Sequence, residues 1–216
     1  YEVAIKINGI GTYNLIQASI KNNIKYFLYF STAHVYRSPL TGKIDEHTLP
    51  KPNHSYAISH RLAEDFLLEA IQNKDIKGNV LRLSNSIGLP ITKEVNCWML
   101  FINDACKQAI VNKQIVINSN PYSKRDFISI DAVCEITENF LLNQTTSNYP
   151  IYNVGSGISI SLLSVAEKIV DRCEKLFGFS PKINYSKNYS HINIKLDYKI
   201  DKLKNEFDYV AISNIN

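Results

Sequence analysis

The chain has 216 residues, 45% apolar and 20% charged, with a formal net charge of +4, enough to bury a sizeable core and ordinary for a globular protein. No block of like charges appears, so nothing in the composition points to nucleic acid. The four cysteines, Cys97, Cys106, Cys134 and Cys173, lie far apart with no C-x-x-C pair, which excludes zinc and redox motifs and suggests buried, reduced thiols. No stretch has the apolar length of a membrane span and the start has no signal-peptide layout, so a soluble cytoplasmic protein is expected, without a metal and without a membrane partner.

Tyr1 opens directly into apolar residues at helical spacing (Val3, Ile7, Ile10, Leu15, Ala18), ending at Lys21-Asn-Asn23. The pattern predicts a helix over 1–22 whose beginning, and a segment before it, lie upstream. Ile24 to Phe30 reads as a buried strand running into the hydroxyl pair Ser31 and Thr32. Residues 38–53, rich in Pro, Gly and Thr, read as a loop too polar to pack. Ser55 to Gln72 is a helix, with Tyr56, His60 and Glu64 four apart on one face. Lys77 to Ser84 is a strand followed by an Asn-Ser-Ile-Gly-Leu-Pro turn.

Beyond this point Trp98 to Val111 is a predicted helix and Gln114 to Ile117 a short strand. Tyr122 to Ile130 leads into a helix over Asp131 to Leu142, with Asp131 as N-cap. Ile151 to Val154 is a strand, Gly155-Ser-Gly157 a turn, and Ser161 to Phe177 a helix. From Pro181 a β-like stretch precedes a helix over Asp197 to Phe207. Alternation of helices and strands argues for an α/β fold with a parallel sheet.

A hydroxyl pair at a strand end, set against a tyrosine and a base one helical turn apart, is a constellation for proton transfer. The surrounding motifs are more specific. Asn8-Gly-Ile-Gly-Thr-Tyr-Asn-Leu-Ile-Gln-Ala18, Ser31-Thr-Ala-His-Val-Tyr36, Asp45-Glu46 with Pro50 and Pro52, Leu81-Arg-Leu-Ser-Asn85 with Ile87-Gly-Leu-Pro90, Arg125-Asp-Phe-Ile-Ser-Ile-Asp131 and Tyr152-Asn-Val-Gly-Ser-Gly157 occur in this order. Together they resemble the later part of an extended short-chain dehydrogenase/reductase, the NAD-dependent epimerase/dehydratase family that modifies nucleotide sugars.

The resemblance implies a Rossmann-like doubly wound parallel sheet, here its C-terminal part, with a smaller α/β substrate-binding lobe. Residues 1–90 would be the C-terminal half of the dinucleotide-binding domain. Residues 91–216 would be mainly the substrate lobe, with segments around 122–155 returning to the first domain. It also implies NAD or NADP as cofactor, a nucleotide-sugar substrate, and a homodimer formed through residues 1–22 and 55–72.

By the same resemblance Tyr56 is the general acid/base, Thr32 bonds the substrate oxygen that gains or loses the proton, and hydride passes to or from the nicotinamide. Asn8, Ser31, Tyr56, His60, Leu83 and Ser84 would sit near the cofactor, His60 as a donor to the ribose hydroxyls; Asn85 and Arg125 would hold the substrate diphosphate, a task suited to a guanidinium fork. Other readings stand beside these: Asn8 as a helix-surface residue, Ser31 as a strand-end cap, Arg125 as an ion pair with Asp126, Trp98 as core.

Two departures matter. The family carries a lysine four residues after the tyrosine, where this chain has His60, mostly neutral at pH 7. Arg61, about 100° further round the helix, is off that face. Ala33-His34 replaces the acidic pair of the dehydratases, which argues against water elimination, with His34 either a substrate-facing base or a packed histidine. The Gly-rich pyrophosphate turn is expected upstream of Tyr1, since Gly9-x-Gly11 sits in a helical pattern. The sequence therefore suggests a nucleotide-sugar epimerase or reductase for surface-polysaccharide sugars, or alternatively a catalytically silent relative that binds a dinucleotide or nucleotide sugar as a sensor or subunit.

Overall fold

In the computed structural model, residues 1–92, 94–186, 188–189 and 195–207 are described. The first helix, α1, runs continuously through Glu2–Ala4, a π-helical segment Ile5–Ile10, and Gly11–Lys21. Strand β1 (Tyr26–Thr32) is followed by a 3-10 turn (Ala33–Val35), a short strand β2 (Gly42–Ile44) and helix α2 (Ser55–Gln72). Strand β3 (Lys77–Leu83), strand β4 (Asn85–Ile87), helix α3 (Phe101–Asn112) and strand β5 (Gln114–Ile117) come next. The chain continues with β6 (Lys124–Ser129), α4 (Ile130–Asn143), β7 (Ile151–Val154), β8 (Ser159–Ser161), α5 (Leu162–Phe177), β9 (Lys182–Tyr185), β10 (Leu196–Tyr198) and α6 (Asp201–Phe207).

The central sheet has the order β1-β3-β7, all parallel. Its strands are apolar on both faces, as a parallel sheet covered by helices requires. Successive residues go to opposite sides. Val80 and Ile151 join Ile16 of α1 and Ala63, Leu67 and Ala70 of α2 in one core. Leu81, Tyr152 and Val154 join Val133, Ile136 and Phe140 of α4 and Leu203 of α6 in another. The result is a three-layer α/β sandwich, the Rossmann-like doubly wound arrangement expected. A third core packs Ala105 and Ala109 of α3 against Ile115, Ile117, Phe127 and the Leu162, Val165 and Ala166 of α5.

The helix pair α1/α2 crosses closely. A Cβ on Gly9 would lie 2.7 Å from Leu62 Cδ2, so only glycine lets α1 approach here without displacing Leu62. Asn8, in the π-helical turn, donates from Nδ2 to Ser59 Oγ at 3.0 Å, and Ser59 Oγ donates to the Tyr56 carbonyl at 2.9 Å.

Several boundaries differ from those read in the sequence. The strand expected at Ile24 starts at Tyr26, because Asn23 takes a left-handed φ of 54° and the Ile24 N–H still bonds the Ser19 carbonyl. Ser31 and Thr32 are thus inside the strand. The 38–53 loop is not too polar to pack: Leu40, Ile44 and Glu46 are buried, and β2 pairs in parallel with β10. The turn after β3 contains β4, which pairs with β6, itself antiparallel to β8.

The helix expected from Trp98 starts at Phe101. Ser129, not Asp131, caps α4, its Oγ accepting from the Ala132 N–H at 3.2 Å while Asp131 is exposed. The last helix begins at Asp201, because Asp197 belongs to β10. Trp98 is not core: it is 41% exposed, with Lys107 Nζ 4.6 Å above its ring. Cys97 and Cys173 are buried as expected, but Cys106 and Cys134 are exposed; none forms a disulfide. No helix among the described residues is long and apolar enough to cross a membrane.

Candidate active site

The last residues of the three parallel strands lie side by side, with Thr32 paired to Leu83 and Leu83 to Val154. In open α/β sheets the crevice outside the carboxyl ends of the strands is where ligands bind. A cleft of about 540 Å³ opens there. From the central sheet it is lined by Ser31, Thr32, Leu83 and Ser84, from α2 by Tyr56, and from the second sheet by Asn85, Phe127 and Arg125. His34, His54 and the residues around the start of α3 (Met99 to Asn103) complete the wall, and no carboxylate side chain among the described residues lines it.

The helix carrying the tyrosine starts where it does because His54 caps it: His54 Nδ1 accepts from the Ala57 N–H at 3.3 Å. Tyr56 is then two residues into the helix, 48% exposed, with its ring edge-to-face on His60 at 4.5 Å between centroids. Burial pushes its phenol above the usual tyrosine value, and a hydrogen bond with Thr32 pulls the other way. Thr32 Oγ1 also accepts from the His34 N–H at 3.2 Å, which fixes the turn at the strand end. Strand-end hydroxyl and helical tyrosine, picked out from the sequence, are therefore in contact.

One turn along α2 the side chains face β1 in matched register. Two strand residues span about 6.7 Å and four helical residues about 6 Å, so Tyr29 and Ser31 meet His60 and Glu64 respectively. Tyr29 Oη lies 2.8 Å from His60 Nδ1. Ser31 Oγ donates to Glu64 Oε1 at 2.6 Å. Ser31 pairs in register with Arg82 of β3, so the guanidinium reaches the same carboxylate, Nε to Oε1 at 2.9 Å and Nη2 to Oε2 at 2.7 Å. Arg61 Nη1 adds a bond to Oε2 at 3.0 Å. Arg61 also pairs with Asp65 through Nη2. Tyr36 stacks over the Arg82 guanidinium, 4.6 Å from centroid to Cζ.

The remaining residues singled out from the sequence divide into two groups. Leu83, Ser84, Asn85, His34 and Arg125 all line the cleft. Arg125 has no ion pair with Asp126. Strand alternation sends Asp126 to the other side, fully buried, where its carboxylate accepts from Ser156 N–H at 2.9 Å and from Ser156 Oγ at 3.0 Å. Burial lowers the basicity of the Arg125 guanidinium. His34 Nδ1 is buried without a hydrogen-bond partner, and burial, then His54, then Arg125 push its pKa down.

Asn8 and Ser31 have their side chains engaged within the protein, the first on Ser59 and the second, although it too lines the cleft, on Glu64. Asn85 lines the cleft but donates one N–H to the Asp126 carbonyl at 2.9 Å. The sequence reading did not single out Tyr29, Arg82 or His54. The signal for Tyr29 was present: it and Ser31 are two apart in β1, as His60 and Glu64 are one turn apart in α2.

Fold and site together define a Rossmann-like α/β protein with a hydroxyl–tyrosine pair at the carboxyl edge of its sheet. A model of the NAD dependent epimerase/dehydratase family matches residues 2–155, and the chain belongs to that family. It is 23% identical over 169 residues to dTDP-glucose 4,6-dehydratase of Streptomyces niveus, covering 78% of this chain and 48% of that protein. It is 24% identical over 216 residues to UDP-arabinose 4-epimerase 1 of Arabidopsis thaliana, covering 91% and 50%. With GDP-6-deoxy-D-talose 4-dehydrogenase of Aggregatibacter actinomycetemcomitans the identity is 29% over 168 residues, covering 76% and 54%. The chain thus spans about half the length of the curated relatives it matches.

Among solved structures, RMD from Pseudomonas aeruginosa complexed with NADPH superposes with a TM-score of 0.79 at 21% identity, covering 98% of this chain and 70% of that one. UDP-glucuronic acid 4-epimerase from Bacillus cereus in complex with NAD also reaches 0.79, at 22% identity, covering 96% and 63%. At this identity the two share the fold.

Proposed function

We propose that this chain carries the proton-transfer half of an NAD(P)-dependent nucleotide-sugar epimerase or reductase, working in the supply of surface-polysaccharide sugars. The observation that carries the reading is the contact of Thr32 with Tyr56 at the carboxyl edge of the parallel sheet. A bound nicotinamide dinucleotide, NAD or NADP, supplies the hydride chemistry.

The protein's own groups do the rest. Thr32 orients a sugar hydroxyl, and Tyr56 takes or returns its proton. His60 and Tyr56 hold the ribose next to the nicotinamide, with the Leu83–Ser84 backbone beside it. The cleft's lining suits that end of a dinucleotide: neutral donors at strand ends and, among the described residues, no carboxylates that would repel a diphosphate. Arg125, half-buried and without an acidic partner among the described residues, suits the substrate diphosphate, with Asn85 beside it. Ala33-His34 leaves no acid next to Thr32 for water elimination, which favours epimerisation or reduction over dehydration.

By this proposal residues 1–90 and the returning segments near 122–155 hold the cofactor, and the α3/α5 core carries the sugar-binding lobe. Val3, Ile7 and Ile10 of α1 and Ile58 of α2 are exposed apolar residues, and they suit pairing with a second copy. The alternative reading, a silent relative that binds without turnover, draws on His60, whose burial lowers its basicity. The two are separated with the product of the full-length gene. Bound nicotinamide absorbance and turnover with a panel of nucleotide sugars are expected; an intact protein that holds cofactor but turns over no sugar sinks the enzymatic reading.

A further inference from the structure

His60 stands where the family has a lysine, and its surroundings decide what kind of donor it is. Its Nδ1 lies 2.8 Å from Tyr29 Oη. Either the phenol donates to the ring nitrogen or the ring donates to the phenol. An imidazole nitrogen is the better base and a phenol the better acid, so O–H···N is the favoured arrangement. The groups around the pair support it. From β1 comes only the Tyr29 hydroxyl, whose proton is held by burial and then by the charge of Glu64, well above the ordinary tyrosine range; Thr12 of α1 also bonds it.

From its own helix His60 faces Tyr56 and Glu64. Glu64 does not stabilise an imidazolium by direct bonding, because Ser31, Arg82 and Arg61 occupy both of its oxygens. Burial makes the ring less basic, and the distant pull of Glu64 only opposes this. The ring is therefore neutral near pH 7, and one nitrogen is already taken.

We propose that Tyr29 is a positioning residue whose hydroxyl donates to His60 Nδ1 and holds the imidazole as the neutral Nε2–H tautomer, making His60 a single directional donor to the nicotinamide ribose and not a replacement cation. This rests on the proposed catalytic reading for the ribose contact, but the tautomer itself does not. A lysine supplies both a donor and a positive charge. The Tyr29–His60 pair supplies the donor alone, so the phenol of Tyr56 receives no help in ionising.

Long-range ¹⁵N spectra of histidine-labelled full-length protein test the tautomer without substrate or cofactor. Wild type is expected to show His60 protonated at Nε2 and bare at Nδ1 at pH 7, titrating below the ordinary histidine value. In Tyr29→Phe the bond to the neutral form is lost, so the titration moves up toward that value and the tautomers mix. NADH affinity, followed by its fluorescence, should weaken about two- to tenfold in Tyr29→Phe. In a His60→Lys background the same change should leave NADH affinity untouched, because an ammonium has no acceptor for the phenol to lock. A merely structural role for Tyr29 would weaken both backgrounds alike.

An imidazolium or an Nδ1–H tautomer at pH 7 in wild type overturns the proposal, and that spectrum stands even if Tyr29→Phe folds poorly. Equal loss of NADH affinity in both backgrounds also overturns it. A locked tautomer in a protein that turns over no nucleotide sugar leaves this inference standing and removes the enzymatic reading.

Discussion

Helix α2 carries two polar clusters about two turns apart, and they are built on opposite principles. At Glu64 every hydrogen-bonding direction of the carboxylate is taken by Ser31, Arg82 and Arg61, and both Glu64 and Arg82 are fully buried. At Tyr56 the side chain is about half exposed and its hydroxyl meets the Thr32 side chain next to an open cleft. The closed cluster fixes helix to strand; the open one keeps capacity for a ligand. A site is precise when its reactive groups hang from elements locked by their neighbours. Here one ion pair locks β1, α2 and β3 together about two turns from the tyrosine.

The contrast predicts that the open end loses activity without stability. Tyr56→Phe should lower turnover by about 10²- to 10⁴-fold while the unfolding free energy stays within about 0.5 kcal/mol of wild type. Retained turnover would place the base elsewhere. The pH profile sharpens the same point. Because burial raises the Tyr56 phenol and no cation among the described residues pulls it down, turnover in the direction that needs phenolate should climb with pH through neutrality and into the alkaline range. His60→Lys adds a charge that favours phenolate, so the rising limb should move to lower pH; an unmoved limb would mean that this position does not set the tyrosine's ionisation.

The closed end should behave in the reverse way. Glu64→Ala leaves the Arg82 guanidinium buried without its partner, and breaking such a pair costs about 3–5 kcal/mol, read as a lower denaturant midpoint. A change under about 1 kcal/mol would show that water or rearrangement satisfies Arg82. Further from α2, Gly155→Ala would set a Cβ 2.5 Å from Asp126 Oδ1 and should cost about 1–3 kcal/mol through overpacking. The smallest effect is expected for Ser129→Ala, about 1 kcal/mol from loss of the α4 cap, checked by thermal or urea unfolding with Asp131→Ala near neutral as the control.

Much of the site was legible because it depends on local spacing. Thr32 ends a strand, Tyr56 and His60 are one turn apart, and both facts follow from periods of two and 3.6 residues. Gly155 was visible only as part of a turn; that it must be glycine follows from Asp126, distant in the chain but packed against it. The supporting residues were the least legible. Arg82 sits in an apolar strand and gives no periodic signal of its partner. Its meeting with Glu64 depends on the register of β3 against β1, which a single sequence does not encode at that resolution. The 38–53 segment misled for the same reason. Its polar composition is real, but Leu40, Ile44 and Glu46 find cover from β7 and β10, elements more than a hundred residues away.

The amino-acid sequence by itself determined the α/β alternation, the order of the motifs and the candidate pair Thr32 and Tyr56, since each rests on residue type and short-range period. Tertiary structure alone decided which polar groups are free. Ser31 and Asn8 are engaged inside the protein, Arg125 is turned away from Asp126, and His60 is turned to Tyr29. The physical reason is that a side chain's chemistry depends on which of its donors and acceptors are already satisfied, and those partners come from strands and helices that only the folded chain brings together.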